Sequence, residues 1–261
     1  MRGATSGDRG KLIRRVPRLP LPRRWVNGAH LKAVLLSFRA LWPIGSCDGR
    51  KGRMVNWIDD LAEWDGSLPA ALAATDLAPE QRDAQLRGLV ARICDLQPTA
   101  VVIERVKGRP PLLVQPAGFG LYLSTSSRGS IAAMAIARSQ VGIDVELADT
   151  RAEIPWNVLH AQEATGLRSL GGEERSRAFA RLWSLKEAYV KALGIGLARE
   201  PSSFAVSLAD KDSAVLHDPA ASMRVAAAET RWLRAGLILA AVSIVVLGRL
   251  SSRPESPRPA A

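Results

Sequence analysis

Histidine, cysteine and aromatic residues are all scarce in this chain of 261 residues. The three histidines, His30, His160 and His217, are scattered, which argues against a histidine-rich zinc site and against a histidine-based triad. Two cysteines, Cys47 and Cys94, are too few for a disulfide framework and lack metal-ligand spacing. A reducing, cytoplasmic setting follows from that usage. Long apolar runs are missing as well. The longest, residues 235–248, spans 14 residues, short of the ~20 that a membrane-crossing helix needs. Its β-branched content favours a buried strand over a tail anchor, and no membrane partner is expected. No clean apolar run follows the early arginines, so no secretory signal is visible.

Acidic residues are nearly absent from one region. Residues 1–53 hold two Asp/Glu against 13 Lys/Arg, whereas residues 54–261 hold 23 of each, so the net charge of +11 sits wholly in the first fifth. That basic, Pro-rich extension reads as disordered for at least its first two dozen residues. Three explanations compete for it: an arm for an acidic partner or nucleic acid, a transit peptide, or an upstream extension before a start at Met54. Nucleic acid is not expected as the main partner. At the other end, residues 251–261 read as a disordered tail.

Between these ends the pattern is mixed. Residues 55–76 read as loosely organised helix and loop. A helix follows to about Cys94, with Asp76 as its cap and Pro79 in the first turn, where a missing N–H does no harm. Strands are expected at 101–104, 121–123, 131–137 and 141–146, and the short gap at Arg138-Ser139-Gln140 would suit a hairpin, although it lacks the usual Gly or Asn. A long helix spans about 173–193 and stops at Gly194. Further strands fall at 204–208, 224–228 and 237–246. Strands with segregated helices indicate an α+β fold.

Two segments can carry chemistry. In Val141-Gly142-Ile143-Asp144-Val145-Glu146, strand alternation puts Asp144 and Glu146 on one face while Ile143 and Val145 face a core. Adjacent carboxylates repel unless a cation or proton offsets them; taken alone, the run is better explained as a half-exposed edge strand with outward acids. In Trp183-Ser184-Leu185-Lys186-Glu187-Ala188-Tyr189-Val190-Lys191-Ala192-Leu193-Gly194-Ile195-Gly196-Leu197, Glu187 and Lys191 share a helix face. Taken alone, they could be a solvated ion pair worth a few tenths of a kcal/mol.

Together, the Gly-Ile-Asp-Val-Glu run and the later Trp-Ser-x-Lys-Glu-Ala run resemble the paired signature of 4′-phosphopantetheinyl transferases, most of all the longer surfactin-activator (Sfp) type. Glu163, Leu167, Leu170, Arg175, Phe179, Arg181 and Leu182 resemble that family too, as do Gly108-Arg109-Pro110 and the Ser-rich stretch 124–129. The resemblance covers roughly residues 75–246. It implies a pseudo-dimer of two similar α+β halves, 54–138 and 139–250, in a monomer, although no internal repeat is visible in the sequence. It also implies Mg²⁺-dependent transfer of phosphopantetheine from coenzyme A to a serine of an acyl or peptidyl carrier protein.

By that resemblance Asp144, Glu146 and Glu187 would ligate the metal, which favours hard oxygen donors. Lys186 and Lys191 would hold phosphate oxygens, and Glu187 would act as base. Lys107, Arg109, Ser126, Ser127 and Arg128 would meet coenzyme A. The chain departs from the family at Ser127, which stands where a histidine usually meets the nucleotide phosphate, with Arg128 beside it. The Arg-rich helical region is also shorter, offering only Arg82, Arg87 and Arg92. A relative that binds carrier protein or coenzyme A without transfer is therefore the alternative.

Overall fold

The computed structural model describes residues 54–195 and 198–248; the expected basic extension (1–53) and tail (251–261) lie outside the described residues. Eleven strands and three α-helices alternate irregularly among them, as an α+β fold requires. Strands β1 (Asn56–Ile58), β2 (Ala70–Thr75), β5 (Tyr122–Arg128) and β6 (Ile131–Ala137) form one sheet in the order β1-β2-β6-β5. Strands β7 (Val141–Leu147), β10 (Arg224–Ala235) and β11 (Ile238–Gly248) form a second, in the order β10-β11-β7. Hairpins β3–β4 (Val102–Glu104, Leu112–Gln115) and β8–β9 (Ala205–Leu208, Ala214–His217) stand apart as two-stranded ribbons.

Alternation along the strands builds the layers. On β6, Ala133, Ala135 and Ala137 point to the second sheet and pack with Ile143, Val145, Val242, Ile244 and Val246. Met134 and Ile136 point the other way, onto Leu86, Leu89 and Val90 of helix α1 (Pro79–Cys94). The outer face of the second sheet, through Val245 and Leu247, packs on Leu185, Ala188 and Ala192 of α3 (Gly172–Leu193). The order is therefore helix, sheet, sheet, helix, with alanines allowing the sheets close approach. Each large aliphatic side chain buried this way contributes ~1.5–3 kcal/mol. The apolar run near the C-terminus forms β11, the central strand of its sheet. No described helix is long and apolar enough to cross a membrane.

Three local expectations change. Residues 55–76 hold two short strands joined by a loop, with no helix: the alanines of β2 fit a central strand where bulkier side chains would force the layers apart. Asp76 is not the cap of α1. It takes a left-handed turn (φ 58°) before the helix, and Ala78 occupies the cap position, because Pro79 holds the residue before it in extended backbone. There Gln81 Oε1 accepts the Ala78 N–H. Finally, 138–140 does not close a hairpin. β6 pairs with β2 and β5 while β7 pairs with β11, so the turn carries the chain from one sheet to the other.

Candidate functional site

Gly142 determines how closely α3 can approach β7. A Cβ at this position would lie 1.9 Å from the Ala188 carbonyl oxygen and 2.6 Å from the Ala192 nitrogen, so only glycine fits against the helix backbone. The same strand face carries Asp144 and Glu146, two and four residues on, and so aims both carboxylates at the α3 side. Ile143 and Val145 are buried on the opposite face, as alternation predicts. From α3, Glu187 and Lys191 project from one helix face, one turn apart.

Lys191 Nζ donates to Asp144 Oδ1 at 2.6 Å and to the Ile143 carbonyl oxygen at 3.2 Å. Ser126 Oγ on β5 donates to the same Asp144 oxygen at 2.8 Å. The other carboxylate oxygen, Asp144 Oδ2, is buried and has no hydrogen-bond partner. Arg128, at the end of β5, sits 3.6 Å from Glu146 Oε2. Burial first, and then the Asp144 charge, push the Glu146 carboxyl up to about 7, against Arg128. Glu187 is raised by the same two causes, with Lys191 opposing.

A cleft of about 610 Å³ opens beside this cluster, lined by Glu187 and Lys191 on one side and by Arg105, Lys107 and Arg109 on the other. A second chamber of about 510 Å³ shares Arg105, Thr125 and Lys191 with it and is bordered by Arg82, Ser126 and Ser127. The structure thus brings Lys107, Arg109, Ser126, Ser127, Glu187 and Lys191 to two neighbouring cavities that share a wall. Arg128 borders neither and faces Glu146 instead. Arg105 went unnoticed in the sequence, and Thr125 entered only as part of the Ser-rich stretch 124–129. Arg105 lines both chambers, bonded to Asp83 at 2.6 Å and to Thr125 Oγ1 at 3.3 Å; as a single arginine on a surface turn it carried no pattern.

Lys186 corrects an expectation. Its ammonium is wholly buried on the far side of α3 from the cleft and donates to the carbonyl oxygens of Pro201 and Phe204 at 2.7 Å each. It also pairs with Glu163 Oε1 at 2.9 Å. Adjacent residues on a helix point about 100° apart, so Lys186 cannot share the face of Glu187 and does not reach a phosphate in the cleft. Glu163 sits in the first turn of α2 (Ala161–Arg168), where it also accepts from His160 N and Val206 N.

Among the described residues no three of His, Cys, Asp and Glu are gathered as a ready metal cage. The donor set nonetheless fits a hard divalent cation. Carboxylates from β7 and α3 converge, two of them are raised by burial first and then by the Asp144 charge, and one buried oxygen lacks any partner.

Residues 140–241 match the model of the 4′-phosphopantetheinyl transferase superfamily. The 4′-phosphopantetheinyl transferase psf-1 of Bacillus pumilus is 29% identical over 135 residues, covering 51% of this chain and 57% of that protein. The 4′-phosphopantetheinyl transferase HetI of Nostoc is 30% identical over 119 residues, covering 44% and 50%. The enzyme gsp of Aneurinibacillus migulanus, named likewise, is 30% identical over 87 residues, covering 33% and 37%. The matches thus span about half, or less, of these relatives' lengths.

Proposed function

From a C-terminal segment, residues 140–241, that belongs to the 4′-phosphopantetheinyl transferase superfamily, we propose that this chain transfers 4′-phosphopantetheine from coenzyme A to a serine of an acyl or peptidyl carrier protein. The observation that carries the reading is the convergence of Asp144, Glu146, Glu187 and Lys191 where β7 meets α3, beside a cleft walled by Arg105, Lys107 and Arg109. A cleft walled by cations on one side and by Glu187 and Lys191 on the other, with Asp144 in contact with Lys191, suits a ligand bearing phosphates next to a divalent ion.

Asp144, Glu146 and Glu187 would hold Mg²⁺. When bound, the ion offsets negative charge on the departing 3′,5′-ADP. The chain's own groups do the rest. Arg105, Lys107 and Arg109 bind phosphates in the first chamber, and Arg82 with Ser126 and Ser127 borders the second. Arg82 and Arg105 supply the positive charge that Ser127 lacks. Glu187 accepts the proton of the carrier serine as that oxygen bonds to the phosphorus carrying pantetheine and the bond to 3′,5′-ADP breaks. As a metal ligand it is a weak base, so its positioning beside the serine supplies much of the rate. Lys191 faces the charge that develops in transfer. Lys186 acts as a brace that fixes the rotation of α3.

The reading extends to a division near residue 138 into two pseudo-equivalent halves, a monomeric state and a cytoplasmic location. Intact-mass analysis of apo-carrier proteins incubated with coenzyme A and Mg²⁺ tests it. A gain of one phosphopantetheine, lost in Glu187→Gln, supports the reading. No gain on any carrier shifts weight to the alternative, a relative that binds without transfer, which exposed Ser127 favours.

A further inference from the structure

Asp144 and Glu146 each already face a cation supplied by the protein. Lys191 Nζ stands 2.6 Å from Asp144, and Arg128 stands 3.6 Å from Glu146. Lys191 also lines both chambers, and Arg128 follows Ser126 and Ser127 on the strand that borders the second. Lys191 is therefore within reach of two kinds of anion, a carboxylate of the protein and a phosphate in the cleft, whereas Arg128 borders neither chamber and faces the carboxylate alone. Lys191 cannot neutralise both anions fully at once.

We propose that Lys191, assisted by Arg128, is a resident counter-ion of the carboxylate cluster that is handed over to a ligand phosphate, so that Mg²⁺ and the nucleotide bind as a mutually dependent pair. The inference rests on the transferase reading and adds an order to it. A divalent ion brought to Asp144 while the ammonium stays 2.6 Å from that carboxylate meets a like charge on the same group, which opposes binding. A phosphate that draws Lys191 aside removes that opposition and leaves Asp144 Oδ2, already without a partner, and Oδ1 to the metal. Such coupling is reciprocal: the nucleotide raises metal affinity by the factor by which the metal raises nucleotide affinity.

The two cations are unequal. Arg128 is 60% exposed and its contact is long, so solvent screens most of it. Lys191 is 32% exposed against a carboxylate that is 8% exposed, and it holds the larger share of the opposition.

Isothermal titration calorimetry on the full chain tests the handover, using Mg²⁺ alone and Mg²⁺ with saturating 3′,5′-ADP. In the unaltered protein the nucleotide tightens Mg²⁺ binding by about tenfold, within the usual range of coupling. Lys191→Met tightens binding of Mg²⁺ alone by about tenfold and reduces the nucleotide's effect to near unity. Arg128→Gln tightens it by about two- to threefold, as a screened contact allows. The handover is overturned if 3′,5′-ADP leaves Mg²⁺ affinity unchanged, or if a folded Lys191→Met binds Mg²⁺ no more tightly. Should that variant not fold, unchanged affinity in Arg128→Gln overturns it instead. Carrier loading by the unaltered enzyme without coupled binding would sink the handover and spare the transferase reading. Coupled binding with no loading of any carrier would do the reverse.

Discussion

Helix α3 carries two lysines, Lys186 and Lys191, each joined to a carboxylate, and the two pairs are built for different ends. Lys186 and Glu163 are sealed: their side chains are 0% and 1% exposed. The ammonium has three acceptors, and the carboxylate also takes N–H groups from His160 and Val206. Nothing is left over for a ligand. Lys191 and Asp144 are unfinished. The lysine is a third exposed and borders both chambers, and one oxygen of the aspartate is buried without a donor. A saturated buried pair fixes geometry, whereas a pair with spare acceptors beside a cleft is available for chemistry. The same residue types, a few positions apart on one helix, thus hold the structure on one face and offer a site on the other.

The largest effect should come from opening the sealed pair. Lys186→Met leaves the Glu163 carboxylate buried and uncompensated, at a cost of ~3–5 kcal/mol, measurable by chemical denaturation. Adding Glu163→Gln to it should recover a substantial part. An equal loss in Lys191→Met would erase the distinction between the pairs.

Next comes the contact that brings the unfinished pair together. Gly142→Ala drives a methyl into the backbone of α3, which cannot yield as a side chain does. It should cost ~3 kcal/mol, the upper end for overpacking, and abolish carrier loading in the mass assay. Gly88→Ala is the control. Its Cβ would meet only Leu61 Cδ2, at 2.7 Å, the end of a movable side chain, and a helical Gly→Ala change gains ~0.5–1 kcal/mol that offsets it. Comparable losses in both variants would mean that the approach of α3 to β7 is not the controlling feature.

A smaller effect falls on the cleft. Arg105→Met should weaken 3′,5′-ADP binding by about tenfold, the value of one hydrogen bond to a charged group. It should barely move the melting temperature, since its pair with Asp83 is about two-fifths exposed on both sides. A large drop in melting temperature with unchanged nucleotide affinity would make Arg105 structural, on the side of Lys186.

Both members of the unfinished pair stood out in the sequence, because strand alternation put Asp144 with Glu146 and helical spacing put Glu187 with Lys191, but their contact with each other across β7 and α3 did not. The sealed pair was not legible. Lys186 is next to Glu187 in sequence but turned away from it, and its partner Glu163 comes from another helix. The His160-to-Glu163 spacing of a capping box was the available signal that Glu163 begins a helix. Strand β2 was missed because Ala-Ala-Leu-Ala-Ala-Thr has little β propensity and is held by its neighbours in the sheet. The turn at 138–140 looked like a hairpin because chain spacing alone does not say which strand is the partner.

The last effect is modest, and its sign separates the two regions most cleanly. In the metal-free protein the Glu146 carboxyl is pushed up to about 7, from an ordinary 4.5. Between those values the folded state keeps a proton that the unfolded state has lost, so stability falls as pH rises through this window and levels off above it. Part of the shift is screened at a carboxylate that solvent reaches, so the slope is shallow. Melting temperatures recorded from pH 4 to 8 in chelator should decline through the window in the unaltered protein and decline less in Glu146→Gln. Added Mg²⁺ should restore the loss most at the alkaline end, where the carboxylates are charged and need it. An identical pH profile in Glu146→Gln would mean that the clustered carboxylates store no repulsion, and the cleft side of α3 would then be as settled as the side that holds Lys186.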